Sequence, residues 1–382
     1  MNRIEEMIKR LCPKGVERVS VGDIIKYLPG GSLNRNQVKQ EGLYPVMNGG
    51  VDYSGYYDKF NYDGNVLTIS HWGSSAGHVH IHHNKFWANN ACWVFIPQNS
   101  ATCSLNILYY LLKNKEELMS TKYCFGGATP NLNRKLFENM QIPLPPLSIQ
   151  QEIVSVLDSF TTLIDKMKKE VEMRKKQMEC YRERLMSPKE GWTVKTLGEI
   201  GTFTRGSGLQ KSDLRDAGFP CIHYGQIHTF YNFAAYKTKS FCDENYAKKL
   251  KKGKTGDLLI ATTSEDVEAC CKAVAWLGDS EVAYSTDSYC YSHDQDPKFM
   301  AYLFQTEMFA KQKRMAATGA KVVRVSGEAM ATFSFALPPL SKQREIARTL
   351  DIFEEYIQRL EKLISLRQKQ YEYYREKLLT FE

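Results

Sequence analysis

LPPLSIQQEIVSVLDSFTTLIDKMKKEVEMRKKQMECYRERLM, residues 144–186, occurs twice in this chain. Moved on by 193 residues, it aligns without a gap on LPPLSKQREIARTLDIFEEYIQRLEKLISLRQKQYEYYREKLL, residues 337–379, with 21 of 43 positions identical. A long internal repeat constrains the architecture before any local propensity is read, because each copy demands the same surroundings.

Each copy opens on Pro-Pro, which a helix interior excludes, followed by Ser148 or Ser341 in N-cap position with Gln151 or Arg344 three residues on. From the serine to the end of either copy there is no Gly or Pro. Ile149, Ile153, Val156, Phe160, Leu163, Met167, Val171, Met178, Tyr181 and Leu185 fall at three- and four-residue spacing, with Arg174 in the seam between Val171 and Met178. The second copy repeats this with Ile346, Phe353, Tyr356, Leu360, Ile364, Tyr371, Tyr374 and Leu378, and Arg367 in the matching place. The spacing predicts a coiled-coil stripe on a long helix. The step from Met167 to Val171 is four where three is due, which predicts a local unwinding there. About 38 residues at ~1.5 Å each make a rod of roughly 57 Å, far longer than one globular core needs. A single amphipathic helix of this kind would signal packing or oligomerisation and nothing more. Two in one chain are expected to pair with each other, antiparallel, since each emerges from a separate globular segment.

The 382 residues allow two or three domains, each able to bury a core. Hydrophobic residues are 43% and charged residues 25%, ordinary for a globular chain. The net charge of +8 suits a phosphate-bearing partner, although solubility alone explains so mild an excess. Ten cysteines lie scattered without a CxxC pair, Cys270 and Cys271 being adjacent, and read as free thiols of a reducing cytosol. MNRIEEMIKRL at the N-terminus lacks the apolar core of a signal peptide, and no run approaches 18 apolar residues. The expected location is cytoplasmic, with no membrane partner.

Residues 4–14, IEEMIKRLCPK, resemble the tail of the repeat, RERLMSPK at 182–189. Arg10-Leu11 matches Arg184-Leu185 and, after one inserted residue, Pro13-Lys14 matches Pro188-Lys189, so the chain begins as if cut from a circle. The expected order is a helix stub (1–14), a globular segment (15–143), a long helix (144–187), a second globular segment (188–336) and a second long helix (337–382). The globular segments match weakly in their order of features. Val21-Gly22-Asp23-Ile24 answers Leu197-Gly198-Glu199-Ile200, Gly30-Gly31-Ser32-Leu33 answers Gly206-Ser207-Gly208-Leu209, and Tyr44-Pro45-Val46 answers Phe219-Pro220-Cys221. The strand signal NVLTIS at 65–70 answers DLLIAT at 257–262, and Trp93-Val94-Phe95 answers Tyr289-Cys290-Tyr291. Short β-rich runs with aromatic alternation and Gly, Asn and Pro turns predict an α+β fold of two similar, strand-rich domains separated by the helices.

Catalytic signatures are missing. Gly253-Lys254-Thr255 ends like a phosphate-binding loop, but Lys248 stands where its first Gly belongs, and Gly206-Ser207-Gly208 lacks the third Gly and the helix of a dinucleotide loop. No Asn-Pro-Pro-aromatic run of an amino-methyltransferase is found. His78, His80 and His82, with His83, alternate along a strand and invite a metal reading; without a carboxylate or Cys at suitable spacing, a polar strand edge is the plainer one. His71 beside Trp72 and His223 beside Tyr224 are solvated loop residues or base-stacking ones. The cluster Lys248, Lys249, Lys251, Lys252 and Lys254, near Phe230, Tyr231, Tyr236, Phe241 and Tyr246, is a solvated face or a phosphate contact.

A helix opening PLPPLSxQxEI, preceded by a short apolar strand (Met140-Gln141-Ile142-Pro143; Phe333-Ser334-Phe335-Ala336) and appearing twice, resembles the specificity subunit of type I restriction-modification systems. The resemblance covers essentially the whole chain, and its specific part is the paired helices. It implies that the globular segments are target-recognition domains, each reading one half of a split duplex DNA site. The helices would form an antiparallel coiled coil in a pseudo-twofold repeat, spacing the domains and docking modification (methyltransferase) subunits, with restriction/translocase subunits joining the complex. The chain itself would be non-catalytic and without a cofactor, S-adenosylmethionine, ATP and Mg2+ being used by the partners. Lys and Arg would contact phosphates, while loop side chains read base edges.

The candidate DNA contacts are the equivalent loops. In the first domain they are Asn34, Arg35 and Asn36; Asn48; Ser70, His71, Trp72, Ser74 and Ser75; and Thr129, Asn131 and Arg134. In the second they are Arg205, Ser207 and Lys211; His223, Tyr224 and Gln226; Thr262, Ser264 and Glu265; and Thr318, Lys321 and Arg324. Two other classes stay open at this point: a coiled-coil scaffold for proteins alone, and a chain that itself modifies DNA.

Overall fold

The computed structural model describes residues 2–319 and 322–381. The chain forms two compact units, Met1–Lys168 with Lys362–Glu382, and Lys169–Glu361. Both repeat copies are single helices, Leu147–Met186 and Leu340–Thr380, and each contributes residues to both units.

In the first unit the strand Val66–Ser70 is buried at all five positions, the polar Thr68 and Ser70 included, as a strand covered on both faces. It lies between Val79–His82 and Cys92–Pro97, with Ile25–Leu28 beyond the latter, all neighbours antiparallel. The helix Leu105–Lys113 and the start of the first long helix share this sheet's core, where Leu67, Ile69 and Phe95 meet Leu108, Leu111, Ile149, Ile153 and Leu157. Ile4 of the N-terminal helix Asn2–Leu11 joins the same core with Leu378 and Leu379. A smaller sheet, Tyr56–Tyr57, Tyr44–Met47 and Trp87–Ala88, closes on Met47, Phe86, Ala88 and Val94.

The second unit is built alike. A five-stranded sheet runs Gly201–Arg205, Ser288–His293, Leu258–Ala261, Lys272–Trp276, Ala234–Ala235, with Leu258–Ala261 buried throughout; a four-stranded sheet runs Ser240–Cys242, Phe219–Ile222, Val282–Tyr284, Lys252–Gly253. Pairing corrects the alignment of the two segments. Ser70 faces Cys92 and Ala261 faces Ser288, while Ile69 faces Trp93 and Ile260 faces Tyr289. Ser70 therefore corresponds to Ala261, and the reading that set it beside Thr262 is one residue out. In a strand such a slip exchanges the two faces; the short match held a single identity, Leu67 on Leu259, where the paired register holds two, Leu67 on Leu258 and Ile69 on Ile260.

The helix entrances carry a clamp that the sequence reading overlooked. Buried Gln150 accepts from the Ser104 N–H at 2.9 Å and donates to Thr102 O at 2.6 Å and Pro145 O at 2.8 Å. Gln343, 193 residues on, accepts from the Asp296 N–H at 3.0 Å and donates to Gln295 Oε1 at 2.8 Å and Pro338 O at 2.9 Å. Ser104 and Asp296 are the N-caps of Leu105–Lys113 and Pro297–Leu303, so in each unit one glutamine fastens the long helix to the start of a domain helix. A second tie repeats with it: Tyr110 Oη donates to Asp158 at 2.6 Å, and Tyr302 Oη to Asp351 at 2.9 Å. Ser148 and Ser341 are not the N-caps. Pro146 and Pro339 hold that place, their carbonyls accepting the first helical N–H groups, a role that needs no N–H of their own.

Burial also corrects the stripe. Leu163 is 41% exposed and Ile164 6%; Tyr356 is 43% exposed and Ile357 4%. With Leu157 in place of Val156, and with Ile164 and Ile357, the seams become 153, 157, 160, 164, 167, 171, 174, 178, 181, 185 and 346, 350, 353, 357, 360, 364, 367, 371, 374, 378. The steps alternate four and three throughout, so the stripe carries no insertion at Met167 and no unwinding is called for there. In the first unit Phe160 lies against Tyr374 at 5.5 Å between ring centres, and in the second Phe353 lies against Tyr181 at 5.1 Å. These are the same contact with its two members exchanged by the 193-residue shift.

The corrected seam has a direct consequence. Ile164→Ala should lower the stability of the first unit by about 2–5 kcal/mol, as large-to-small core changes do. Leu163→Ala next to it should cost no more than about 0.5 kcal/mol, the scale of surface changes. Denaturant unfolding of the two variants checks this, and equal losses would restore the original stripe.

Candidate nucleic-acid interface

In the first domain a tight turn, Asn89 to Ala91, gathers the candidate loops. Buried Asn89 accepts from the Leu33 N–H at 2.9 Å and donates to Leu33 O at 3.1 Å and to Asn48 Oδ1 at 3.0 Å. His71 N–H donates to Ala91 O at 3.2 Å, and His71 Nε2 meets Asn90 O at 2.8 Å while its ring stacks on Trp93 at 5.0 Å. Gly49 makes the approach possible: its φ is +74°, and a Cβ there would sit 2.8 Å from Ala91 O. Leu132 N–H to His71 O at 2.9 Å, and Gly73 N–H to Pro130 O at 2.9 Å, zip the 70–75 loop to the 129–134 loop.

The second domain uses the turn from Ser285 to Ser288 in the same way. Ser285 Oγ accepts from the Tyr224 N–H at 2.8 Å, Thr286 O accepts from Arg205 Nε at 3.3 Å, and Asp287 O accepts from the Thr262 N–H at 3.2 Å. Gly206 lies so close to this turn that a Cβ would stand 2.0 Å from Ser285 O. Thr263 pairs with Arg324, and Thr318 exchanges two backbone hydrogen bonds with Arg324, of 2.9 and 2.8 Å. The four loops of each domain are thus held around one turn.

Not every candidate faces outward. Asn34, Arg35, Asn36, Asn48, Trp72, Ser74, Thr129 and Asn131 are exposed in the first domain, as are Arg205, Lys211, Glu265, Thr318 and Arg324 in the second; His71, Ser75, Ser207, Tyr224 and Ser264 are half-buried. Ser70 and Thr262 are buried and leave the candidate set: Ser70 ends a strand covered on both faces, and the Thr262 hydroxyl points back to Asp287 O. Arg134, although exposed, is engaged internally. Its guanidinium sits 4.1 Å from the Tyr27 ring centre and its Nε is 2.7 Å from Glu138 Oε1, while burial and the Glu138 charge push the Tyr27 hydroxyl upward. Half-buried His223 and Gln226 cap the helix Tyr224–Thr229, with Gln226 Nε2 also 2.7 Å from Ser240 Oγ. Lys321 lies outside the described residues. Asn89 and Ser285, which set the loops in place, were missed; the Asn-Asn pair was legible only as a turn.

The histidines of Val79–His82 are packing groups. His82 places Nε2 2.8 Å from Thr68 Oγ1 and Nδ1 3.0 Å from Tyr53 Oη, and its ring stacks on Phe86 at 3.9 Å. Both nitrogens are taken. Burial holds His82 down to about 3 and His80 to about 4. Among the described residues no group of three or more His, Cys, Asp or Glu is placed to hold a metal ion. In the lysine cluster Lys248, Lys249, Lys251 and Lys254 are exposed, while Lys252 covers the Phe219 ring at 4.9 Å.

Two similar domains, each presenting loops around one turn, correspond to a known family. The model of the type I restriction modification DNA specificity domain matches residues 13–173 and, a second time, 189–367. The chain belongs to that family. It is 28% identical over 356 residues to a putative type I restriction enzyme specificity subunit of Haemophilus influenzae, covering 88% of this chain and 89% of that one. A type I restriction enzyme specificity subunit of Methanocaldococcus jannaschii is 24% identical over 385 residues, covering 93% and 89%. The fold is shared with the crystal structure of the type I restriction-modification S subunit from M. genitalium, at a TM-score of 0.64 and 18% identity, over 95% of this chain and 96% of that one. Specificity subunits are the non-catalytic members of their complexes, which answers the missing catalytic signatures. No helix among the described residues is long and apolar enough to cross a membrane.

The histidine packing gives this specificity subunit an acid-sensitive first domain. With a folded value far below the unfolded one, ordinarily ~6.5, His82 binds its proton in the unfolded chain first, so stability is full above pH ~6.5 and falls as the pH drops toward 3. Its share of the slope reaches about 1.4 kcal/mol per pH unit. Denaturant unfolding at several pH values should show a flatter acid limb for His82→Gln, and an unchanged slope would remove His82 from the account.

Proposed function

We propose that this chain is the sequence-reading subunit of a type I restriction-modification complex, each domain reading one half of a split duplex DNA site, with the gap between the halves set by the two long helices. In this reading they form an antiparallel coiled coil with a pseudo-twofold repeat that also docks methyltransferase subunits, with restriction/translocase subunits completing the assembly. S-adenosylmethionine, ATP and Mg2+ belong to those partners, and the complex works in the cytoplasm. The observation that carries the proposal is the repetition of the helix contacts at a constant shift of 193, from the glutamine clamps to the Phe160–Tyr374 and Phe353–Tyr181 pairs, while the loops differ.

Geometry supports the division of labour. A helix of 40 residues at ~1.5 Å each is roughly 60 Å long, against ~34 Å for one turn of DNA. Such a rod suits two half-sites more than a turn apart. Exposed Lys211, Lys248, Lys249, Lys251 and Lys254 suit phosphate contacts, which set register without reading sequence.

The experiment is to lengthen the rod. Inserting seven residues, one full seam repeat, into both long helices preserves the buried spacing and adds ~10 Å, about three base pairs at ~3.4 Å each. The preferred gap of the split duplex should grow by about three base pairs while both half-sites stay the same. An unchanged gap would reject the ruler. Binding should also weaken steeply with salt as phosphate contacts are lost.

A further inference from the structure

The turn at Asn89 fixes the polarity of one side chain in the first domain. The Leu33 N–H lies 2.9 Å from a side-chain atom of Asn89 and, having no role but donor, makes that atom the amide oxygen. The other atom is then Nδ2, whose hydrogens go to Leu33 O at 3.1 Å and to the side chain of Asn48 at 3.0 Å. A donor there demands an acceptor opposite. Asn48 therefore turns its Oδ1 inward and its Nδ2 outward, into a cleft of about 530 Å³ that it lines with Arg35, Gln40 and Ser54.

The second domain reaches the same result with different chemistry. Tyr44–Met47 pairs in parallel with Trp87–Ala88, as Phe219–Ile222 does with Val282–Tyr284, the matched pairs being Met47 with Ala88 and Ile222 with Tyr284. His223 thus holds the place of Asn48, and Ser285 that of Asn89. The Gly225 N–H donates to His223 Nδ1 at 3.2 Å. Nδ1 is then the bare nitrogen of the neutral ring, and the proton sits on Nε2.

We propose that Asn48 and His223 are locked hydrogen-bond donors through which each domain reads an acceptor-bearing base edge, that of guanine, whose O6 and N7 are adjacent acceptors in the major groove. This rests on the split-site reading above and specifies what one position of each half-site contains. Arg35, beside Asn48, supplies further donors for the same edge. Cytosine presents its N4 donor there, and donor against donor leaves both unpaired, so guanine is favoured over cytosine about tenfold or more, while adenine and thymine each offer one acceptor, N7 or O4, where guanine offers two.

Asn48→Asp tests the assignment, because it keeps the shape and the acceptor facing Asn89 while turning the outward donor into an acceptor. The full chain, wild type or variant, is produced with its methyltransferase subunit and used to select from a library of duplexes randomised over both halves and the gap. Wild type should enrich a split motif with guanine in the first half. Asn48→Asp should move that position, by about tenfold, to a base with an exposed amino group, with the second half unchanged as proof of folding. Asn48→Ala should lose the preference at that position and gain none. If Asn48→Asp selects the same first half as wild type, or if both variants lose all first-half selection, the donor assignment is overturned while the split-site reading stands. If wild type enriches no split motif, that reading falls and takes the assignment with it.

Discussion

The alternating four-and-three seam on the two long helices is the constraint on which the structure depends. A helix of 40 or 41 residues carrying such a stripe leaves it facing water unless it packs against a surface of matching period. Within each unit the other repeat copy supplies part of that cover, Phe160 lying against Tyr374 in the first and Phe353 against Tyr181 in the second. The seam requires only that both helices keep the same spacing, which accounts for 21 identical positions in 43 while the domains share little beyond their order of elements.

The domains meet a second demand, that loops of different sequence stand on a like frame. A sheet with a central strand buried on both faces provides rigidity, and one tight turn beside it collects the loops. In one domain the turn works through an asparagine amide, in the other through serine hydroxyl and backbone oxygens. The join to the rod is less free. Gln150 and Gln343 are buried polar groups whose loss would leave backbone N–H groups unpaired, and they anchor a domain helix whatever the loops become.

The fold was largely legible in the sequence, because helical period and internal identity are long-range signals that survive single errors. Where the signal is short, the reading slips by one residue: Leu163 stands in for Ile164, Tyr356 for Ile357, and strand 257–262 is set one place out. In the helices two apolar residues stand side by side at those points, and only packing decides which of them is buried. The entrance clamps were not legible, since a glutamine inside a helix reads as surface until its partners at Ser104 and Asp296 are seen. Among the candidate residues, sequence position did not show the direction of each side chain; Ser70 and Thr262 point inward, and Arg134 is spent on Tyr27 and Glu138. The organising residues Asn89 and Ser285 are buried and bond to their own loops, which is why composition did not mark them.

The central claim is that one chain reads two separate pieces of sequence at a fixed separation. Mapping every methylated position in the genome of cells that carry this chain with its modification partner tests it most directly. The account predicts one recurrent motif of two specified parts divided by an unspecified stretch of constant length. A single uninterrupted motif, or two parts whose separation varies freely, would contradict it.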